Sequence, residues 1–189
     1  LGMALPHSAL APSGEPSWLE LARRSALALM RQHALGIRIE DIVTPHAIEN
    51  AMLVHAAFGG STNLLLHVPA IAHAAGLPLP TVADWIRVNR ATPRLVDALP
   101  NGPRGHPTVQ VFMAGGVPEV MLHLKRAGLL HLDVLTATGE TLGAALEWWE
   151  QSERRHGARA RLTAATQVSA DDVIRDPAAA HREHGPGGD

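Results

Sequence analysis

Apolar residues recur along this chain with the three-to-four-residue spacing of amphipathic helices, and glycine or proline ends each run. The run Ser17–Glu20 resembles a capping box, so the first helix is predicted to begin there and to stop at Gly36. A second helix is predicted over 45–58, because Thr44 can cap it and proline suits its first position. Residues 1–16 are rich in proline and glycine and are predicted to form a loop.

The most apolar run of the chain, Leu64–Ala75, is interrupted only by two histidines and predicts a buried helix. Gly59-Gly60 breaks the chain just before this run. Each member of Ser61-Thr62-Asn63 is able to cap the helix that follows.

Further elements are predicted in the second half. A Thr-x-x-Asp cap opens a short helix over Thr81–Asn89, and the β-branched and aromatic run Thr108–Phe112 predicts a short strand. Helices are predicted from Pro118 to Ala127 and from Thr141 to Arg155. We therefore expect a predominantly α-helical chain with one or two short strands.

Composition narrows the class of protein. Of the 189 residues 46% are apolar and only 3% aromatic, and the formal net charge is -2. The near-zero net charge and the lack of a cluster of Lys and Arg argue against a nucleic-acid or anionic-membrane partner. No apolar run reaches the length of about 18 residues that a membrane helix needs. We expect a cytoplasmic protein with neither of these partners.

The absence of cysteine excludes a disulfide, a thiolate nucleophile and an iron–sulfur ligand from this sequence. A nucleotide-binding glycine fingerprint, a Walker loop and a nucleophile elbow are also missing. Because the sequence begins at Leu1 without a signal peptide, we interpret it as a piece of a longer protein.

Two glycine pairs are candidate ligand sites. Gly59, Gly60, Ser61, Thr62 and Asn63 precede an apolar helix, whose free amides and dipole could receive a carboxylate or phosphate. The alternative is a tight turn between helices with nothing bound. Gly115 and Gly116 offer the same geometry without hydroxyl groups, and a helix that only packs is the alternative there.

Histidines supply the other candidates. His55, His67 and His73 lack the helical spacing of a zinc site, so buried and hydrogen-bonded rings are the simpler interpretation. Glu119 and His123 are four residues apart, which permits a metal pair or an exposed side-chain contact. His106, in a proline-rich loop, is a candidate substrate contact or a solvent-exposed ring.

Four ordered stretches resemble the dihydroxy-acid and phosphogluconate dehydratase family. They are Leu1–Pro6, Asn50–His67, Ala114–Pro118 and Asp133–Leu142. Leu99–Pro103 and Trp148–Arg155 look closer to the aldonic-acid branch, similar to xylonate dehydratases, than to the branched-chain amino-acid enzymes.

The resemblance implies an α/β fold in the full-length protein and removal of water from a sugar acid, giving a 2-keto-3-deoxy acid. It implies an iron–sulfur cluster, [2Fe-2S] or [4Fe-4S], and Mg²⁺, together with a homo-oligomer. The family's cluster cysteines, magnesium ligands and serine base fall outside this sequence, so no catalytic or metal-binding residue is assigned here. The piece is expected to be inactive without the rest of its own chain.

The resemblance also divides the chain. Residues 1–155 are predicted to be part of the N-terminal, cluster-binding domain, and 156–189 a linker-like tail that ends in disorder over His181–Asp189. Within the first part we expect Gly59–Asn63, His106 and Gly115-Gly116 to line the substrate cleft. The rival hypothesis is a non-catalytic helical module whose apolar helices bind a partner.

Overall fold

A computed structural model describes residues 1–98, 105–178 and 180 and shows helices joined by turns. The helices of the described residues are α1 (Pro16–Leu35), α2 (Ile39–Ile42), α3 (Pro45–Phe58), α4 (Leu64–Ala74), α5 (Val82–Ala91), α6 (Thr108–Ala114), α7 (Gly116–Arg126), α8 (Leu142–Gln151), α9 (Glu153–Thr166) and α10 (Ala170–Val173). Extended backbone pairs there only in isolated bridges, Val96 with Ile174, Ala98 with His106, and Leu135 with Thr141. The prediction of a predominantly helical chain is confirmed. No described helix has the length and apolar character needed to cross a membrane.

Helix α3 lies at the centre of the core. Thr44 Oγ1 accepts a hydrogen bond from the Ala47 amide at 3.2 Å, which confirms the predicted cap. Helices α4, α5 and α7 pack around α3. The side chain of the buried Asn50 joins it to a distant loop, because its amide donates to the His131 carbonyl at 2.8 Å and accepts from the His131 amide at 2.9 Å.

Helix α4 is not the buried helix that its composition predicts. Only Val68 and Ala72 are buried, whereas Leu66 is 73% exposed. The reason is that, among the described helices, α4 packs mainly on α3 and is buried along that face alone. An apolar surface of Leu64, Leu65, Leu66 and Ile71 is therefore left open to solvent.

Helix α1 departs from prediction at its start. It begins at Pro16 with Glu15 at the N-cap position, and no side chain caps it, so the expected capping box is absent. Leu21 alone in this helix is buried, while Trp18 and Leu29 of the predicted core face are exposed. The helix meets the rest of the fold through few contacts, which explains why its apolar positions stay open.

Two predictions for the second half are also wrong. Residues 108–112 belong to helix α6 instead of a strand, because Val111 and Phe112 are buried on a surface formed with α9 and α10. The helix predicted to run to Arg155 is divided at Ser152, whose backbone is extended and whose Oγ accepts from the Arg155 amide at 3.2 Å.

Beyond residue 155 the described chain continues through α9 and α10. Helix α9 buries Ala158 and Leu162, and α10 packs against α6 and α9. The expected disorder of His181–Asp189 and the Leu99–Pro103 resemblance lie outside the described residues.

Candidate functional site

The first glycine pair ends helix α3. Gly59 has a left-handed backbone with φ 60°, and its amide donates to the Ala56 carbonyl at 3.1 Å. The Gly60 amide donates to the His55 carbonyl at 3.0 Å, which completes a Schellman-type ending. The pair is therefore required to stop α3 before α4 begins.

The ring of His55 fixes the turn that follows. Its Nε2 lies 3.0 Å from the Ser61 carbonyl oxygen, to which it donates, and a Cβ on Gly60 would lie 2.6 Å from its Cδ2. The ring also meets the Trp85 ring edge-on, with centroids 5.4 Å apart. His55 is thus a hydrogen-bonded, half-buried histidine, in line with the simpler interpretation of its position.

The residues after the pair point outward. Ser61, Thr62 and Asn63 are all exposed. The Asn63 amide donates to Ser61 Oγ at 3.3 Å, and the amides of Leu64 and Leu65 donate to backbone carbonyls at 3.0 Å. These backbone amides are already bonded within the turn. The groups that the turn presents to a ligand are therefore the hydroxyls of Ser61 and Thr62 and the side-chain carboxamide of Asn63.

A cavity of about 460 Å³ lies beside this turn. Gly60 and Leu64 border it on one side, and Val117 and Pro118, which follow the second glycine pair, border it on another. The loop 1–10 forms a further wall, and His7, His55 and Thr136 are polar members of a mostly apolar lining. The fold therefore brings the ends of both glycine-pair segments to one cavity, while Ser61, Thr62, Asn63 and His106 lie outside its lining.

The second glycine pair is buried and connects α6 to α7. Gly115 has φ 128° and Gly116 has φ 61°, both in the region that favours glycine. A Cβ on Gly115 would lie 2.6 Å from the Cβ of Glu119, and one on Gly116 would lie 3.6 Å from the His7 ring. Gly115 therefore makes room for the buried Glu119 side chain, whereas a side chain at Gly116 would meet His7 only at ordinary contact distance.

Glu119 is buried, whereas an exposed contact with His123 was the commoner expectation from the sequence. It is 1% exposed and accepts from Arg155 Nε and Nη2, each at 2.7 Å. Arg159 Nη1 at 3.3 Å and Trp149 Nε1 at 3.1 Å also donate to it. Burial raises the pKa of Glu119, but the bonds and charge of Arg155 and Arg159 outweigh burial and hold that pKa below its usual value.

His7 is a second buried residue, and no pattern in the sequence singles it out. Its Nε2 donates to the Phe112 carbonyl at 2.7 Å, and its ring stacks on the Phe112 ring with centroids 4.0 Å apart. Burial lowers the pKa of His7 to about 4, so the ring is neutral and Nδ1 can accept a hydrogen bond.

The remaining histidines are scattered. His67 and His73 are exposed on α4, contrary to the expectation of buried rings, and His123 is buried with both ring nitrogens lacking a hydrogen-bond partner in the described structure. His106 is half-buried: its amide donates to the Asp97 carbonyl and its Nδ1 lies 2.9 Å from Gln110 Oε1.

The part of the chain that the structure describes contains no group of three or more metal-ligating side chains. The sequence holds no cysteine. These residues therefore do not fit an iron–sulfur cluster, and no ligand for one is assigned to this chain.

Comparison with known proteins gives a consistent result. A family model described as dihydroxy-acid/6-phosphogluconate dehydratase N-terminal matches residues 1–145. The chain is 63% identical over 177 residues to D-xylonate dehydratase YjhG of Escherichia coli, covering 94% of this chain and 27% of that protein. It is 62% identical over 177 residues to D-xylonate dehydratase YagF of the same organism, with the same coverage of both chains, 94% and 27%.

A dihydroxy-acid dehydratase of Dinoroseobacter shibae is 44% identical over 147 residues, which are 78% of this chain and 25% of that protein. The chain thus spans about a quarter of the length of these relatives.

Proposed function

The chain belongs to the dihydroxy-acid/6-phosphogluconate dehydratase family, and we propose that it is part of a hydro-lyase that removes water from a sugar acid. The observation that carries this proposal is the 63% identity over 177 residues to a D-xylonate dehydratase. The 44% identity to a dihydroxy-acid dehydratase is lower, which favours an aldonic acid over a branched-chain dihydroxy acid as the substrate.

In the proposed reaction the C2–H and C3–OH bonds of the acid break, and water leaves. The enol that remains becomes the 2-keto-3-deoxy acid. A base must take the C2 proton and a Lewis acid must assist the departing hydroxide. We propose that an iron–sulfur cluster and Mg²⁺ are held by the rest of the intact protein, because this chain supplies no thiolate.

We assign residues 1–155 to the N-terminal domain of that protein. The family match over residues 1–145 supports this assignment. The open apolar face of α4 supports it as well, because Leu64, Leu65 and Leu66 are 36%, 41% and 73% exposed and would be covered in a larger protein. The rival, a non-catalytic helical module whose apolar helices bind a partner, would also leave such a face open, and the family match favours the dehydratase over it. We further propose a cytoplasmic location and a homo-oligomeric state.

The first glycine-pair turn is our proposed contribution of this chain to the substrate cleft. Its exposed Ser61 and Thr62 hydroxyls can donate to the carboxylate or hydroxyls of a sugar acid. The buried Gly115-Gly116 turn and the half-buried His106 would support the cleft from behind instead of touching the substrate.

An assay of the intact polypeptide that contains this chain tests the proposal. The protein is incubated with D-xylonate, and the 2-keto acid is followed as its semicarbazone. A branched-chain 2,3-dihydroxy acid serves as the control substrate. We expect turnover of xylonate, or of another aldonic acid, to exceed that of the branched-chain acid at least about tenfold, a difference of about 1.4 kcal/mol in transition-state binding. Formation of no 2-keto acid from any aldonic acid would disprove the proposed function.

A further inference from the structure

Arg154, at the start of α9, is anchored to the loop that holds His7. Its Nε donates to His7 Nδ1 at 3.2 Å, and its Nη2 donates to the His7 carbonyl at 3.4 Å. His7 is itself held by the Phe112 carbonyl at 2.7 Å. The guanidinium of Arg154 is therefore fixed in place by neutral groups, and no carboxylate takes part.

Two further arginines surround it. Arg161 lies seven residues after Arg154, on the same face of α9 and about 10 Å along its axis, within the combined reach of two arginine side chains. Arg24 belongs to α1. Burial lowers the pKa of Arg154, and the positive charges of Arg24 and Arg161 lower it further, so the three guanidinium groups lie within electrostatic range of one another.

Positive charge exceeds negative charge around this cluster of the described residues. Arg24, Arg154 and Arg161 form no salt bridge there, and Glu20 is the acidic residue whose charge raises the pKa of Arg154. Glu20 is already bound by Arg23, through two hydrogen bonds of 2.9 and 2.8 Å.

The next two arginines of α9 differ from Arg154 in their partners. Arg155 and Arg159 both donate to the buried carboxylate of Glu119, and Arg159 also pairs with Asp171 at 2.7 Å. One side of α9 is therefore neutralised within the chain, whereas the side with Arg154 and Arg161 is not.

We propose that Arg154, which His7 holds in place, forms with Arg161 and Arg24 a binding site for a small oxyanion, either a phosphate or a carboxylate group. Guanidinium groups bind both through paired, charge-assisted hydrogen bonds. Arg154 is pre-positioned by His7, and Arg161 is exposed and able to close on the anion. The site adjoins the proposed cleft, because His7 borders the cavity beside the first glycine pair, whereas none of the three arginines lines that cavity.

Titration calorimetry of the full polypeptide with inorganic phosphate and, separately, with acetate tests this site. Ionic strength is held constant with chloride. The variants are R24Q, R154Q and R161Q, and R90Q is the matched control because Arg90 is an exposed arginine on α5. R154Q removes two hydrogen bonds to His7 and could fail to fold. R161Q still tests the site in that case, because the Arg161 side chain is exposed and makes no hydrogen bond to the described residues.

We expect saturable binding that weakens about tenfold in R161Q and in R24Q and changes less than about twofold in R90Q, since each charge-assisted bond is worth about that factor. Tighter binding of phosphate would identify a phosphorylated ligand, and equal or tighter binding of acetate a carboxylic acid. Absence of saturable binding by both anions, or equal weakening in R90Q, would overturn the proposal.

Discussion

The two glycine pairs precede apolar helices in the same way, yet the fold uses them differently. Gly59-Gly60 ends α3 and leads into three exposed polar residues, Ser61, Thr62 and Asn63. Gly115-Gly116 is buried and lies against Glu119 and His7. The first turn presents polar groups to solvent, whereas the second encloses an ion pair.

The difference arises from the residues that follow each pair. Hydroxyl and amide side chains after Gly60 favour water, so that turn stays at the surface. After Gly116, Val117 and Pro118 border the apolar cavity, and Glu119 is drawn inward by two arginines of α9. A glycine pair before a helix therefore does not by itself indicate a ligand site, and its neighbours decide whether it serves the substrate or the fold.

The largest effect on the second turn should come from E119Q. The substitution leaves Arg155 and Arg159 without their shared carboxylate, and loss of one partner of a buried pair costs about 3–5 kcal/mol. Urea unfolding of the full polypeptide measures this loss. E150Q is the control: Glu150 pairs with Arg126 at 2.6 Å in an exposed position, and its loss should cost less than about 1 kcal/mol. Equal costs for the two variants would show that Glu119 does not hold the second turn.

Lowering the pH should also destabilise the fold around the second turn, because His7 is buried there in its neutral form. Its pKa is about 4 in the folded protein, against 6.5 for an ordinary histidine. Between these values the unfolded chain binds more protons than the folded chain, so the free energy of unfolding should fall as pH falls from 6.5 to 4. The slope from this group is at most about 1.4 kcal/mol per pH unit.

The variant H7Q removes this titration, and urea unfolding between pH 7 and pH 4 should show a shallower loss of stability. F112L is the control, because it removes the ring stacked on His7 without removing a titrating group and should keep the wild-type slope. A wild-type slope in H7Q would contradict the assignment.

Alanine in place of one positive-φ glycine of each pair compares the two turns directly. G115A would bring a Cβ to 2.6 Å from the Glu119 Cβ in a backbone with φ 128°, and we expect a loss of about 2–3 kcal/mol. G59A should lose only about 1 kcal/mol, because φ is 60° and the added Cβ meets the flexible end of Arg94. Thermal unfolding ranks the two, and an equal or larger loss in G59A would refute the ranking.

Local structure was predictable where the sequence carries its own signal. The Thr81–Asp84 capping box forms, with the Asp84 amide 3.2 Å from Thr81 Oγ1, and α3 has its predicted limits, Pro45–Phe58. These features depend on residues three or four apart. The range of α4 was also predicted to within one residue, but its burial was not, because burial depends on what packs against a helix.

Long-range contacts could not be predicted from the sequence. Glu119 meets partners 36 and 40 residues away, and His7 meets Phe112 across 105 residues. No periodic pattern links such positions, so an exposed contact between Glu119 and His123 was the natural expectation. The candidate positions of the first turn were found from local signals, and their role in a substrate cleft stays a prediction.

The central claim is that the first turn serves the substrate and the second serves the fold. The most direct measurement is the kinetics of the intact protein carrying S61A and T62A, with D-xylonate as substrate and urea unfolding alongside. Both side chains are exposed, so we expect a stability loss of about 1 kcal/mol or less together with at least about a tenfold fall in turnover. Unchanged kinetics in a folded double variant would contradict the claim.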